Sequence, residues 1–105
     1  MLKINKELTS RDGSTIPSGA VVRFKTIFPE AGMNVTFDLF VYRSLQAFQD
    51  GRDCVYPIEI ESFGLGRPLT EADYLSLTPQ KVHEFLQAKL EEMPLIGSGN
   101  VSILI

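Results

Sequence analysis

The chain has 105 residues, 44% of them hydrophobic and 22% charged, with a formal net charge of −3. That is enough for one hydrophobic core and too little for two, so a single domain over residues 1–105 is expected. No apolar run approaches the ~20 residues that span a bilayer, no basic-then-apolar leader opens MLKINKEL, and the lone Cys54 cannot form an internal disulfide; the expectation is synthesis in a cytoplasm, with no signal peptide and no membrane partner.

In chain order, Leu2, Ile4 and Leu8 alternate with Lys3, Asn5 and Glu7 and predict a first strand. Lys6 interrupts its apolar face and would suit a sheet edge. The run TSRDGS centres a turn on Asp12-Gly13, and Pro17-Ser18-Gly19 makes a second turn. Residues 20–43 then carry the main signal. Ala20, Val22, Phe24, Thr26 and Phe28 share one parity, and Val35, Phe37, Leu39 and Val41 repeat the pattern. Strand side chains alternate faces, so these sets define the inner faces of a long antiparallel hairpin. Proline, glycine and asparagine in residues 29–34 supply its connection.

After Tyr42, Ser44 is read as the cap of a single helical turn over residues 45–50, closed by Gly51 in a left-handed conformation. Continuation of the strand to Phe48 with a turn at Asp50-Gly51 is the competing reading. Cys54, Tyr56, Ile58 and Ile60 alternate with Val55, Pro57, Glu59 and Glu61, which predicts a further strand with Pro57 marking an edge or a kink. Residues 62–68, SFGLGRP, read as a flexible connection. Thr70 followed by Asp73 resembles a capping box and opens a brief helix to about Ser76. Thr78-Pro79 starts a second helix, with Val82, Phe85, Leu86, Leu90 and Met93 as its apolar stripe. Pro94 ends it, IGSGN turns, and VSILI makes a final strand. The predicted fold class is α+β: an antiparallel, mainly β sheet of about five strands with one main C-terminal helix and a short helix before it.

Residues able to do chemistry are few. His83 is expected on the helix side away from Phe85 and Leu86, solvated or paired with Gln87. Cys54 shares the apolar parity of its segment and reads as an inert buried thiol, since reactive thiols need an accessible, positive neighbourhood. Glu59 and Glu61 project from one strand face and are expected to pair across strands with Arg23 and Lys25. Gly64 and Gly66, like Gly97 and Gly99, lack the strand, loop and helix order of a phosphate cradle. No catalytic residue, cofactor or metal is expected. Lysine and arginine stand singly, 10 against 13 acidic residues, without the clustered cations that neutralise phosphates, so no direct nucleic-acid partner is expected either.

The association signals are stronger. Phe40 and Tyr42 fall on the hairpin face that should be solvated, and need cover from the helix or from another chain. In the last strand Leu104 opposes Val101, Ile103 and Ile105 in parity, leaving both faces apolar. That strand and the Pro57 edge offer open backbone groups to a partner. Phe40, Tyr42, Pro57, Val101, Ile103, Leu104 and Ile105 are the candidate interface residues.

Three runs, GSTIPSGAVVRFKTIFP, VTFDLFVYRSLQAFQDGRD and LTEADYLSLTPQKVHEFLQAKLEE, give the chain a style that resembles small proteins of tailed bacteriophages, especially those with Bacteroidetes-like hosts. The resemblance implies a virion or assembly component, a head, neck, tail or baseplate piece acting through contacts with itself or other structural proteins. It transfers no catalytic residue. Behind that non-enzymatic structural reading stand a small acidic binding protein or inhibitor of a basic partner, and then an enzyme using His83, Cys54 or Glu59.

Overall fold

The computed structural model describes residues 1–27, 32, 34–60, 63–68 and 70–104. The predicted first strand is divided in two. Strand β1 (Leu2–Ile4) stops before Lys6, and β2 (Leu8–Thr9) pairs with β3 (Thr15–Ile16) in a separate small hairpin. Its turn forms where Asp12-Gly13 places it: the Asp12 carboxylate accepts from the Ser14 amide and hydroxyl at 2.9 and 2.6 Å, and Gly13 takes a φ of +89°. Those bonds from Ser14 hold the Asp12 carboxyl below its ordinary range.

Strands β4 (Ala20–Ile27) and β5 (Asn34–Tyr42) form the long antiparallel hairpin. Val22 lies opposite Val41 and Phe24 opposite Leu39, so the apolar parity set shares one face as expected. Phe28 and most of the 29–34 connection lie outside the described residues. Helix α1 (Leu45–Gln49) follows, with the Ser44 hydroxyl accepting from the Ala47 amide at 3.0 Å and Gly51 at a φ of +73°. The helical turn is therefore the correct one of the two readings. Helix α1 lies against β4 and β5, over the face opposite the main core.

Two expectations fail between α1 and the next helix. Residues 54–60 do not form a strand. They touch β5 through one bridge, Val41 with Val55, and the small hairpin through another, Ser10 with Pro57. Proline has no N–H to give a ladder, so pairing cannot run on through Pro57. Instead Tyr56 accepts from the Arg11 amide at 2.9 Å and Ile58 donates to the Thr9 carbonyl at 2.8 Å, stitching the hairpin to the sheet. The parity inverts in the middle of the segment, where Pro57 is buried and Val55 packs on the core while Tyr56 and Ile58 are exposed, and Ile60 returns to the core as expected. Conversely, most of the expected connection is strand β6 (Phe63–Pro68), paired with β5 in a register that shifts between Asn34 and Thr36. Two glycines and a proline are tolerated there because β6 is an edge strand.

Helix α2 (Glu71–Leu75) and helix α3 (Pro79–Glu91) begin where the caps place them, with Thr70 accepting from Asp73 at 3.0 Å and Thr78 from Lys81 at 3.1 Å. Strand β7 (Val101–Ile103) returns beside β1. The architecture is α+β, an antiparallel sheet in the order β6-β5-β4-β1-β7 with α3 packed on one face. Strand β1 is thus interior, flanked by β4 and β7, and not at the edge that Lys6 implied. Val82, Leu86 and Leu90 of α3 meet Leu2, Ile4, Val22, Phe37 and Val41 in the core, each fully buried side chain contributing roughly 1.5–3 kcal/mol of transfer free energy. No helix among the described residues is long and apolar enough to cross a membrane.

Candidate interaction surface on the outer sheet face

The hairpin register that builds the core also builds its back. Val21, Arg23, Lys25, Asp38, Phe40 and Tyr42 alternate onto the face away from α3, with Arg23 opposite Phe40 and Lys25 opposite Asp38. At one end α1 covers this face: the Phe48 ring sits 5.0 Å from Tyr42, and Val21 is fully buried. The Arg23 guanidinium lies over Phe48 at 4.8 Å, and the Lys25 ammonium over Phe40 at 5.9 Å. Arg23, Lys25 and Phe40 are exposed. Together with Phe24 and Tyr42 they surround a shallow hollow of about 220 Å³.

The question of what covers the outward aromatics thus has a divided answer. Tyr42 is half-buried beneath α1, not α3, and Phe40 stays open. Val101 and Pro57 are buried within the chain and present no side chain to a partner, so only the backbone at these two positions bears on the expected edge contact. Ile103 and Leu104 are half-buried, and Ile105 lies outside the described residues. Strand β7 alternates its backbone: the Asn100 carbonyl and Leu104 amide face β1, so the peptide groups of Val101 and Ile103 face outward. The outward Val101 carbonyl accepts from Gln87 Nε2 at 2.8 Å, which closes part of that edge.

His83 is misplaced by the stripe argument. It turns toward the sheet: its Nδ1 lies 2.7 Å from the Pro79 carbonyl, its Nε2 lies 2.6 Å from the Met1 amine, and its ring packs edge-on to Phe24 at 5.0 Å. A carbonyl only accepts, so Nδ1 carries the proton and Nε2 accepts from the Met1 ammonium. Burial, then Arg23, pushes the Met1 amine below its ordinary value. His83 and Gln87 are four residues apart and share a flank of α3 that overhangs β1 and β7, a flank that the apolar pattern leaves unmarked.

Cys54 is half-buried beside Tyr42; the neighbouring thiol, with burial behind it, raises the Tyr42 phenol above its ordinary value. Cys54 opens onto a hollow of about 280 Å³ beside Arg11 and Tyr56, whereas His83 lines a hollow of about 740 Å³ with Met1, Leu45 and Leu104. The two residues are therefore not brought together as a dyad. Glu59 is not paired with Arg23 or Lys25 but holds the Thr9 amide; Glu61 lies outside the described residues. Among the described residues no three of His, Cys, Asp and Glu converge on a metal-sized site.

Fold and surface together define an α+β protein whose antiparallel sheet is covered by a helix on one face and carries Arg23, Lys25 and Asp38 among the Phe40 and Tyr42 rings on the other. No family model matches the chain, and neither the curated proteins nor the solved structures contain a match. The sequence signal for the patch is the parity of Arg23 and Lys25 with Phe40 and Tyr42, which the expected pairing of the two cations with Glu59 and Glu61 conceals.

Proposed function

We propose that this chain is a non-enzymatic structural or assembly protein that acts through protein–protein contacts with copies of itself or with other structural proteins. The observation that carries the reading is the distribution of its large apolar side chains. Tyr56, Ile58, Leu75 and Leu95 are all more than half exposed, at 63, 53, 77 and 58%, and Phe40 stands open on the sheet. Aromatic and aliphatic groups left outside in this number are what protein contacts bury. A place in a tailed-phage virion, as a head, neck, tail or baseplate piece, rests on the resemblance of the three sequence runs alone.

The net charge of −3 favours one other reading, a small acidic binding protein or inhibitor whose negative face meets a basic partner. Light scattering of the purified chain across a wide concentration range separates the two. A defined multimer is the expected result. A chain that stays monomeric throughout the range and binds a basic protein instead would overturn the assembly reading.

A further inference from the structure

One step beyond the pairing of Leu2 with Val22, Met1 comes beside Arg23 of β4; on its other side the Met1 carbonyl accepts from the Leu104 amide at 2.9 Å. Leu45 of α1, His83 of α3 and Ile103 of β7 join them around a hollow of about 740 Å³. That volume falls within the ~300–1,000 Å³ range of small-molecule sites. Its wall is of two kinds. Leu45 is 41% exposed and Ile103 and Leu104 are half-buried, which leaves apolar surface to the hollow, while Arg23 and the Met1 amine bring positive charge. His83 Nε2 takes one hydrogen of the amine at 2.6 Å and leaves two to donate. The Arg23 guanidinium lies over the Phe48 ring and makes no ion pair among the described residues. The acids on the surrounding elements are placed elsewhere. Asp38 stands opposite Lys25, two residues further along β4, Asp50 accepts from Gln46 at 2.8 Å, Glu84 accepts from Gln80 at 3.2 Å, and Glu91 lies at the far end of α3. Burial, then Arg23, lowers the Met1 amine, and no carboxylate among the described residues offsets them.

We propose that this hollow binds a small amphipathic carboxylate, an aliphatic acid whose head is held by Arg23 and the Met1 amine while its tail lies along Leu45, Ile103 and Leu104. A guanidinium fork matches a carboxylate with two parallel hydrogen bonds, and such charge-assisted bonds are about twice as strong as neutral ones. His83 is a positioning residue. With Nδ1 turned to the Pro79 carbonyl, its Nε2 accepts and so orients the amine. A metal ion suits the hollow less well, although the amine and Nε2 are both nitrogen donors. Arg23 repels a cation, and among the described residues no carboxylate or thiolate joins the two nitrogens there. The site stands apart from the assembly reading, because none of Phe40, Tyr56, Ile58, Leu75 and Leu95 lines it.

The test is titration of the purified chain with decanoate, read by calorimetry and by NMR at the methyl groups of Leu45, Ile103 and Leu104. Saturable one-to-one binding is expected, with shifts at those methyls. Arg23→Gln should weaken it about tenfold or more, whereas Lys25→Gln, which removes a cation from the neighbouring hollow, should change it less than about twofold. Decanol, with the tail and no charge, and acetate, with the charge and no tail, should each bind about tenfold or more weakly than decanoate. Circular dichroism confirms that both variants are folded. No saturable binding by the wild-type chain, undiminished binding by Arg23→Gln, or an equal loss in the two variants would overturn the site. Acetate as tight as decanoate would mark an adventitious anion contact only, and decanol as tight as decanoate an apolar surface only; either result overturns the proposal.

Discussion

The backbone amide of Thr9 donates to both carboxylate oxygens of Glu59, at 2.8 and 3.0 Å, across 50 residues of sequence. One carboxylate thereby ties the small β2-β3 hairpin to the segment that runs back toward the sheet. Backbone bonds from Arg11 to Tyr56 and from Ile58 to Thr9 flank it on the same seam.

Glu59→Ala should remove that tie and leave the Thr9 amide without its acceptor, at a cost of about 1–3 kcal/mol. Glu59→Gln keeps an acceptor and loses only the charge, so its loss should be the smaller. Urea denaturation of the three proteins checks the order. Equal midpoints would show that the seam is held by its backbone bonds alone.

The neighbourhood of Tyr42 and Cys54 carries a pH signature. Because the folded phenol is raised above its unfolded value of about 10, the stabilisation it brings is fully present below that value and is lost as pH rises through the raised one. Cys54→Ala should return the Tyr42 titration toward its ordinary value. Titration followed by NMR at the Tyr42 ring, which separates it from Tyr56 and Tyr74, reads the change.

Core and surface apolar residues should behave oppositely. Leu86 is fully buried on α3, and Leu86→Ala should cost about 2–5 kcal/mol through lost transfer energy and an unfilled cavity. Leu95, 58% exposed, should tolerate the same change within about 0.5 kcal/mol. Thermal and urea unfolding of the two variants make the comparison.

The parts of this fold legible in the sequence are those that local chemistry determines. Ser44, Thr70 and Thr78 stand at helix starts because their hydroxyls accept from amides three residues on, and the hairpin faces follow from strict alternation. What was not legible depends on neighbours distant in sequence. Gly64 and Gly66 lower strand propensity, yet β6 exists because β5 has an open ladder beside it. Residues 54–60 alternate like a strand, yet Pro57 withholds a donor and the small hairpin takes the bonds. The site followed the same division. Phe40 is legible as an outward aromatic, whereas the expected pairing of the cations beside it with Glu59 and Glu61 does not foresee that the Glu59 carboxylate holds the Thr9 amide.

The position of β1 between β4 and β7 also sets the order in which the molecule can be completed. Its pairing with β4 joins residues about twenty apart, but its other side waits for residues 101–103. During synthesis, an interior strand of the sheet therefore has an open ladder until nearly all of the described chain has been made. Closing it joins the first and last of the described strands, about a hundred residues apart, the kind of distant pairing that slows folding. Until then, the vacant side of β1 is a place where a neighbouring nascent chain can pair.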